Sequence, residues 1–126
     1  MSSTESGRRQ QAHRQGILAE HFAAAALRFK GYRILTRRYR VKGGEIDIIA
    51  RRGGTIAFVE VKVRPSLAEA ATAIDFLKRR RISRAAKVWL TANPWAAPLT
   101  WRGDAVYVVP WRWPRHEIAV IELDLG

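Results

Sequence analysis

Three carboxylates and a lysine stand at alternating positions in an otherwise apolar stretch. Glu45 and Asp47 lie in G-E-I-D-I-I-A, and Glu60 and Lys62 follow in F-V-E-V-K-V-R. Ionised groups among so many Val, Ile and Phe residues cost free energy if buried without partners, and a bound cation relieves that cost. Carboxylate oxygens suit a hard ion such as Mg²⁺, which takes a few carboxylates, several waters and a substrate phosphate. On this reading Asp47 and Glu60 hold the ion, the backbone carbonyl of Val61 adds a ligand, and Lys62 faces the scissile phosphate or the attacking water. The chemistry would be cleavage of a phosphate ester, with Mg²⁺ or Mn²⁺ as cofactor. The alternative for a bare E-x-K is a surface strand whose Glu60 and Lys62 form an exposed ion pair worth about 0–1 kcal/mol. Asp47, one strand earlier, tips the balance toward a site.

The elements that position these groups are two strands. Ile46, Ile48 and Ile49, then Ile56, Phe58, Val59, Val61 and Val63, favour extended backbone, and Gly53-Gly54 supplies a tight turn. The pattern predicts a hairpin of about 45–51 with 55–63. Side chains two apart share a face, so Glu45 is expected beside Asp47 and Glu60 beside Lys62.

G-E-I-D, followed at the superfamily's spacing by E-V-K on the next strand and preceded by a helix bearing a glutamate, resembles the PD-(D/E)XK nuclease superfamily. Within it, GEIDIIA, FVEVKVR and a downstream K-x-x-R resemble the small bacterial YraN family, predicted endonucleases related to archaeal Holliday-junction resolvases. The similarity covers about residues 14–121. It implies a restriction-endonuclease-like α/β fold with an αβββαβ core and a mixed sheet, and Mg²⁺-dependent hydrolysis of nucleic acid leaving a 5′-phosphate. Asp47, Glu60 and Lys62 match its catalytic motif, and Glu20 matches the helical glutamate of resolvase-like members, a further catalytic and metal-binding candidate. Ile46 stands where the superfamily's name has proline, as it does in the family's own G-E-I-D.

Composition agrees with a polyanionic partner. The chain has 126 residues and a net charge of +12, carried by 18 arginines and five lysines against 11 acids. Such a charge favours nucleic acid through steering and counterion release, with DNA the expected kind. An arginine-rich genome bias, a membrane surface or ribosomal RNA would account for the same charge. There is no cysteine, which excludes disulfides and thiolate metal sites and suits the cytoplasm, where the protein is expected. His13, His21 and His116 lack zinc spacing, and no apolar run is long enough to span a membrane.

In chain order, residues 1–13 read as a disordered basic tail and 14–126 as one domain. From Arg14 to Lys30 the pattern is helical, with Leu18, Phe22, Ala25 and Phe29 on one stripe and Gly31 placed to end it. Glu20 falls on another face beside Ile17, Ala24 and Leu27, either aimed at the cation or solvated. Tyr32–Arg40 reads as a basic strand whose Arg37 and Arg38 are candidates to track a phosphate backbone, or to guard an edge from aggregation. A helix follows Arg64-Pro65, with a capping box at Ser66–Glu69 and Ile74, Leu77, Ile82, Ala85, Ala86, Trp89 and Leu90 on its apolar stripe. Its Lys78 and Arg81, matching K-x-x-R, are candidates for substrate phosphates, or else belong to a solvated face. Strands are expected near 104–109 and 117–123. Between them Trp111-Arg112-Trp113 sits in a proline-flanked loop, able to stack on unpaired bases or to pack on the protein itself or a second subunit. Glu45 and Asp104 are second-rank site candidates.

A metal-dependent endonuclease for branched DNA, homodimeric on a symmetric junction, is the reading these features support. A binding protein that cuts nothing, or an RNA-associated structural protein, is the alternative.

Overall fold

The computed structural model describes residues 3–64 and 75–126. Helix α1 (Ser3–Phe29) leads into strands β1 (Arg33–Val41), β2 (Gly44–Arg52) and β3 (Thr55–Val63), followed by helix α2 (Phe76–Ala92), a 3₁₀ turn at Pro94–Ala96, and strands β4 (Thr100–Val108) and β5 (Arg115–Ile121). The five strands form one sheet in the order β1-β2-β3-β4-β5. β3 and β4 run parallel, and the other neighbours antiparallel. The molecule is therefore α/β, a mixed sheet between two helices, in agreement with a restriction-endonuclease-like core. A parallel pair needs a crossover connection, and α2 supplies it.

Each helix covers one face. Ile82, Ala85, Ala86 and Trp89 of α2 pack with Ile46, Ile49, Ile56 and Phe58, while Ala23, Ala24 and Leu27 of α1 pack with Ile48, Ala50, Ala57 and Val59. The turn is the two-residue loop that Gly-Gly announces: Arg52 faces Thr55, and Gly53 has a φ of 59°. Gly31, with a φ of 92°, ends α1 as expected, and Tyr32 N–H donates to the Leu27 carbonyl over 3.0 Å.

Several details depart from the sequence expectations. Helix α1 starts at Ser3, so the backbone of residues 3–13, read as a disordered tail, continues the helix. Its Arg, Gln and Glu residues are good helix formers, and extending a helix is easier than nucleating one. The bulky stripe of α1 faces outward: Leu18 is 54% exposed, Phe22 50% and Phe29 84%. The buried face is small instead, formed by Ala19, Ala23, Ala24, Ala26 and Leu27 together with Glu20. Helix α2 begins at Phe76, capped by Asp75, whose carboxylate accepts the Lys78 N–H at 2.8 Å. Leu77, expected in the core, is exposed on its first turn. The capping box at 66–69 and Ile74 lie outside the described residues.

No helix among the described residues is long and apolar enough to cross a membrane.

Candidate active site at a strand fork

Asp47 and Glu60 meet where two paired strands separate. The β2–β3 ladder runs from Arg52 opposite Thr55 to Ile48 opposite Val59 and records no pair beyond it. On β2 the alternation breaks at the same place, since Ile46 packs in the α2 layer and Ile48 in the α1 layer. The break turns Asp47 into the fork, where its Oδ2 accepts the N–H of Val61 at 2.8 Å. Val61 is the residue whose carbonyl the sequence nominates as a ligand.

The same break separates Glu45 from Asp47, contrary to simple two-residue periodicity. Glu45 instead lies 3.8 Å from both Arg40 and Arg81. Arg81, nominated for substrate phosphate, is thus loosely paired at the rim and remains half exposed.

Glu60 is buried, and its Oε1 lies 3.0 Å from Nζ of Lys78, which reaches it from the first turn of α2. Lys78, nominated for substrate phosphate, sits directly on the catalytic candidate. Glu20 comes in from α1, also buried, with both its oxygens accepting from Nε of Arg38 at 3.0–3.1 Å. Arg38 adopts a φ of 53°, in the left-handed region that only a well-anchored non-glycine residue holds. Only its Nε is given to Glu20, and the side chain stays 36% exposed. Arg37 reaches Nδ1 of His21 at 3.3 Å, and its buried Nε has no partner among the described residues. Glu20, Asp47 and Val61 together line an open pocket of about 110 Å³, closed on its apolar side by Gly16, Ala19 and Val63.

Burial pushes the Asp47 carboxyl up to about 7, and the negative charge of Glu60 beside it acts in the same direction. The Val61 N–H opposes this, and Glu20 adds to it. Burial holds Lys62 below the ordinary lysine value, against the pull of Glu60 and with the repulsion of Lys78. Burial would lower Lys78 too, but Glu60 outweighs it and keeps the ammonium more firmly protonated than usual. Burial and a neighbouring acid together thus favour the neutral form of Asp47, and a positive charge placed beside it would reverse that preference.

The carboxylates of Asp47 and Glu60, with the Val61 carbonyl that the sequence nominates, would be an all-oxygen donor set of the kind that suits Mg²⁺ or Mn²⁺. Among the described residues no three Asp, Glu or His side chains group closely enough to hold an ion, so Glu20 does not join Asp47 and Glu60 in the three-carboxylate ligand set that the sequence nominates.

Asp104 is not part of this cluster. It is fully buried on β4, opposite Val59, where Nε and Nη2 of Arg102, Nε2 of His116 and the Ala119 N–H all bond to it at 2.8–3.0 Å. Burial alone would raise its pKa, but these donors hold it below the usual carboxylate range. Asp104 anchors the bulge at which β5 departs from β4. Neither Lys78 on Glu60 nor Arg38 on Glu20 is evident in the sequence as a pairing. A lysine one turn into a helix, three positions after an aspartate cap, carries no sign in the sequence of its partner.

Comparison with known proteins places the chain in a group. Residues 19–108 match the uncharacterised protein family UPF0102. A UPF0102 protein of Methylocella silvestris is 62% identical over 112 residues, covering 89% of this chain and 90% of the relative. Similar proteins of Methylobacterium nodulans (54% over 117 residues, 93% and 91% covered) and Bartonella henselae (46% over 114 residues, 90% of each) carry the same family name. The matched span holds Glu20, the whole β2–β3 hairpin and α2, so every group of the fork lies within it. The chain belongs to the UPF0102 family.

Proposed function

We propose that the protein is a metal-dependent endonuclease of the PD-(D/E)XK type that hydrolyses phosphodiester bonds in DNA. The observation that carries this reading is the convergence of Asp47, Glu60 and the Val61 backbone in a strand fork, with Asp47 pushed to about 7 by burial and by Glu60. A divalent ion bound there supplies positive charge opposite the phosphate and lowers the pKa of a water. The chain's own groups do the rest. Val61 N–H fixes Oδ2 of Asp47, and the carboxylate so held would be a ligand to the ion. Lys62, two positions along β3 from Glu60, lies on the same face and positions the phosphate or the attacking water. Lys78 balances the charge of Glu60. Arg38 holds Glu20 at the pocket wall, and exposed Arg81 at the rim receives a flanking phosphate.

Branched DNA is the proposed substrate and a homodimer the proposed assembly, by analogy with the resolvases. The second reading is a nucleic-acid-binding protein that cuts nothing. It is favoured by the Lys78–Glu60 pair, which satisfies Glu60 without any metal.

The test is cleavage of end-labelled four-way junction, flap, single-stranded and duplex DNA with Mg²⁺ or Mn²⁺, beside Glu60→Gln. The nuclease reading expects metal-dependent products from the wild type, a loss of at least about 100-fold in the variant, and unchanged DNA affinity. Binding without cutting under either metal would leave the second reading.

A further inference from the structure

The apolar surface outside the fork forms one trough that leads into it. The pocket at Glu20 and Asp47 shares Ala19 and Val63 with a groove of about 170 Å³ walled by Leu18, Phe22 and Val108. That groove shares Phe22, Val108 and Pro110 with a cleft of about 360 Å³ closed by the Trp111–Pro114 loop. Because β3 and β4 are parallel with Val63 opposite Val108, this loop leaves the sheet at the end where the carboxylates lie. The route from Glu60 to Val63 is three residues of strand, roughly 10 Å.

The loop presents its aromatic groups outward. Trp111 is fully exposed and its backbone has a φ of 63°, a conformation that non-glycine residues adopt at a cost. Trp113 is mostly exposed and is braced edge-on against Phe29, ring centroids 5.8 Å apart. Arg112 stands exposed between them, and Arg64 sits at the end of β3 beside Val108, whose carbonyl accepts the Arg64 N–H at 3.0 Å.

The geometry points to a binding site for unpaired nucleobases: Trp111 and Trp113 stack on bases of a single strand lying in the trough, while Arg64 and Arg112 meet its phosphates. This rests on the nuclease reading and deepens it, because a strand so held passes the carboxylate fork. Indole faces stack on any base, and alternating cations track the backbone between them. A duplex buries its base faces and cannot use the trough. A second copy of the chain suits this particular surface less well, since a self-matching contact through the loop would set its exposed Arg112 against the partner's cations with no acidic residue in the Trp111–Pro114 loop to offset them.

The experiment is equilibrium binding in EDTA, with no cleavage, of fluorescein-labelled single-stranded DNA and of blunt duplex of the same sequence. Trp111→Ala, at a fully exposed position, leaves the fold intact. Its affinity for single strand is expected to drop about tenfold, with duplex affinity unchanged and Trp111→Phe retaining most of the binding. A single abasic nucleotide scanned along the strand should weaken the wild type at one or two positions and leave Trp111→Ala indifferent to them. Equal loss on both DNAs, no loss on either, or a wild-type dimer that Trp111→Ala converts to monomer in sedimentation would overturn the proposal. Wild-type binding of both DNAs with no effect of the tryptophan sinks the stacking site alone, whereas absence of any DNA binding sinks the nuclease reading with it.

Discussion

At the scale of single residues, the fork stores an unfavourable arrangement. Asp47 is buried next to Glu60, so its folded pKa of about 7 lies above the unfolded value near 3.8. The folded state then holds a proton more tightly than the unfolded one, and stability without metal falls as pH rises from about 4 to 7. Asp47→Asn removes the charge and keeps an oxygen for the Val61 N–H. In EDTA it is expected to stabilise the protein by about 1–3 kcal/mol at pH 8, less at pH 5, as read by urea denaturation. Mn²⁺ should raise the melting temperature of the wild type more at pH 8 than at pH 5.5 and should do little for the variant. Destabilisation by Asn at pH 8 would mean that repulsion and burial do not govern Asp47. Lys78 explains why the folded state tolerates the second acid, since its ammonium lies 3.0 Å from Glu60 in a largely sheltered position.

At the scale of elements, the site depends on how closely α2 approaches the end of β2. A Cβ built on Gly44 would lie 2.5 Å from the Arg81 carbonyl and 2.8 Å from the Ala85 nitrogen, both backbone atoms of α2. Gly44→Ala must push that helix away, at a cost of about 1–3 kcal/mol, and α2 takes Lys78 and Arg81 with it. A lower urea midpoint together with impaired cleavage is expected, whereas Gly54→Ala, with open space around it, should behave like the wild type. What the sequence shows of these elements follows from their periodicity. The hairpin is legible because two alternating apolar runs flank Gly53-Gly54, and both strands are found within a residue or so of expectation. The fork is not legible, because the slip between Ile46 and Ile48 has no glycine or proline to mark it. Helix α1 shows the opposite difficulty. Its most regular stripe, Leu18, Phe22 and Phe29, signals a helix correctly and a buried face wrongly, since the alanine side allows a closer approach to the sheet. Glu20 at the fork is evident only from the resemblance, because helix periodicity alone equally allows a solvated position.

At the scale of the whole molecule, the charge of +12 is unevenly committed. Arg38, Arg79, Arg102 and Arg115 each have a carboxylate partner within the fold. Arg80, Arg84 and Lys87 stand exposed on the outer side of α2, the helix that also carries Lys78 and Arg81 to the fork. DNA held along that side would release several counterions. A plot of log affinity against log salt for duplex DNA is expected to have a slope of about −4 to −6, as for five or six neutralised phosphates. A slope shallower than about −2 would count against a phosphate-tracking face. Charge and composition make a polyanionic partner an expectation of the sequence, but only the three-dimensional arrangement tells paired arginines from exposed ones.

Helix α1 touches the sheet through Ala19, Ala23, Ala24 and Ala26, and this layer of methyl groups works as a spacer of fixed thickness. Glu20 rides on the same helix, so its depth at the fork is set by residues that have no chemistry of their own. Such a spacer has little slack: one larger side chain in it lifts the helix, and the glutamate rises with it. The calibration of the acidic cluster is thus written in the plainest residues of the chain, where a search for reactive groups would not look.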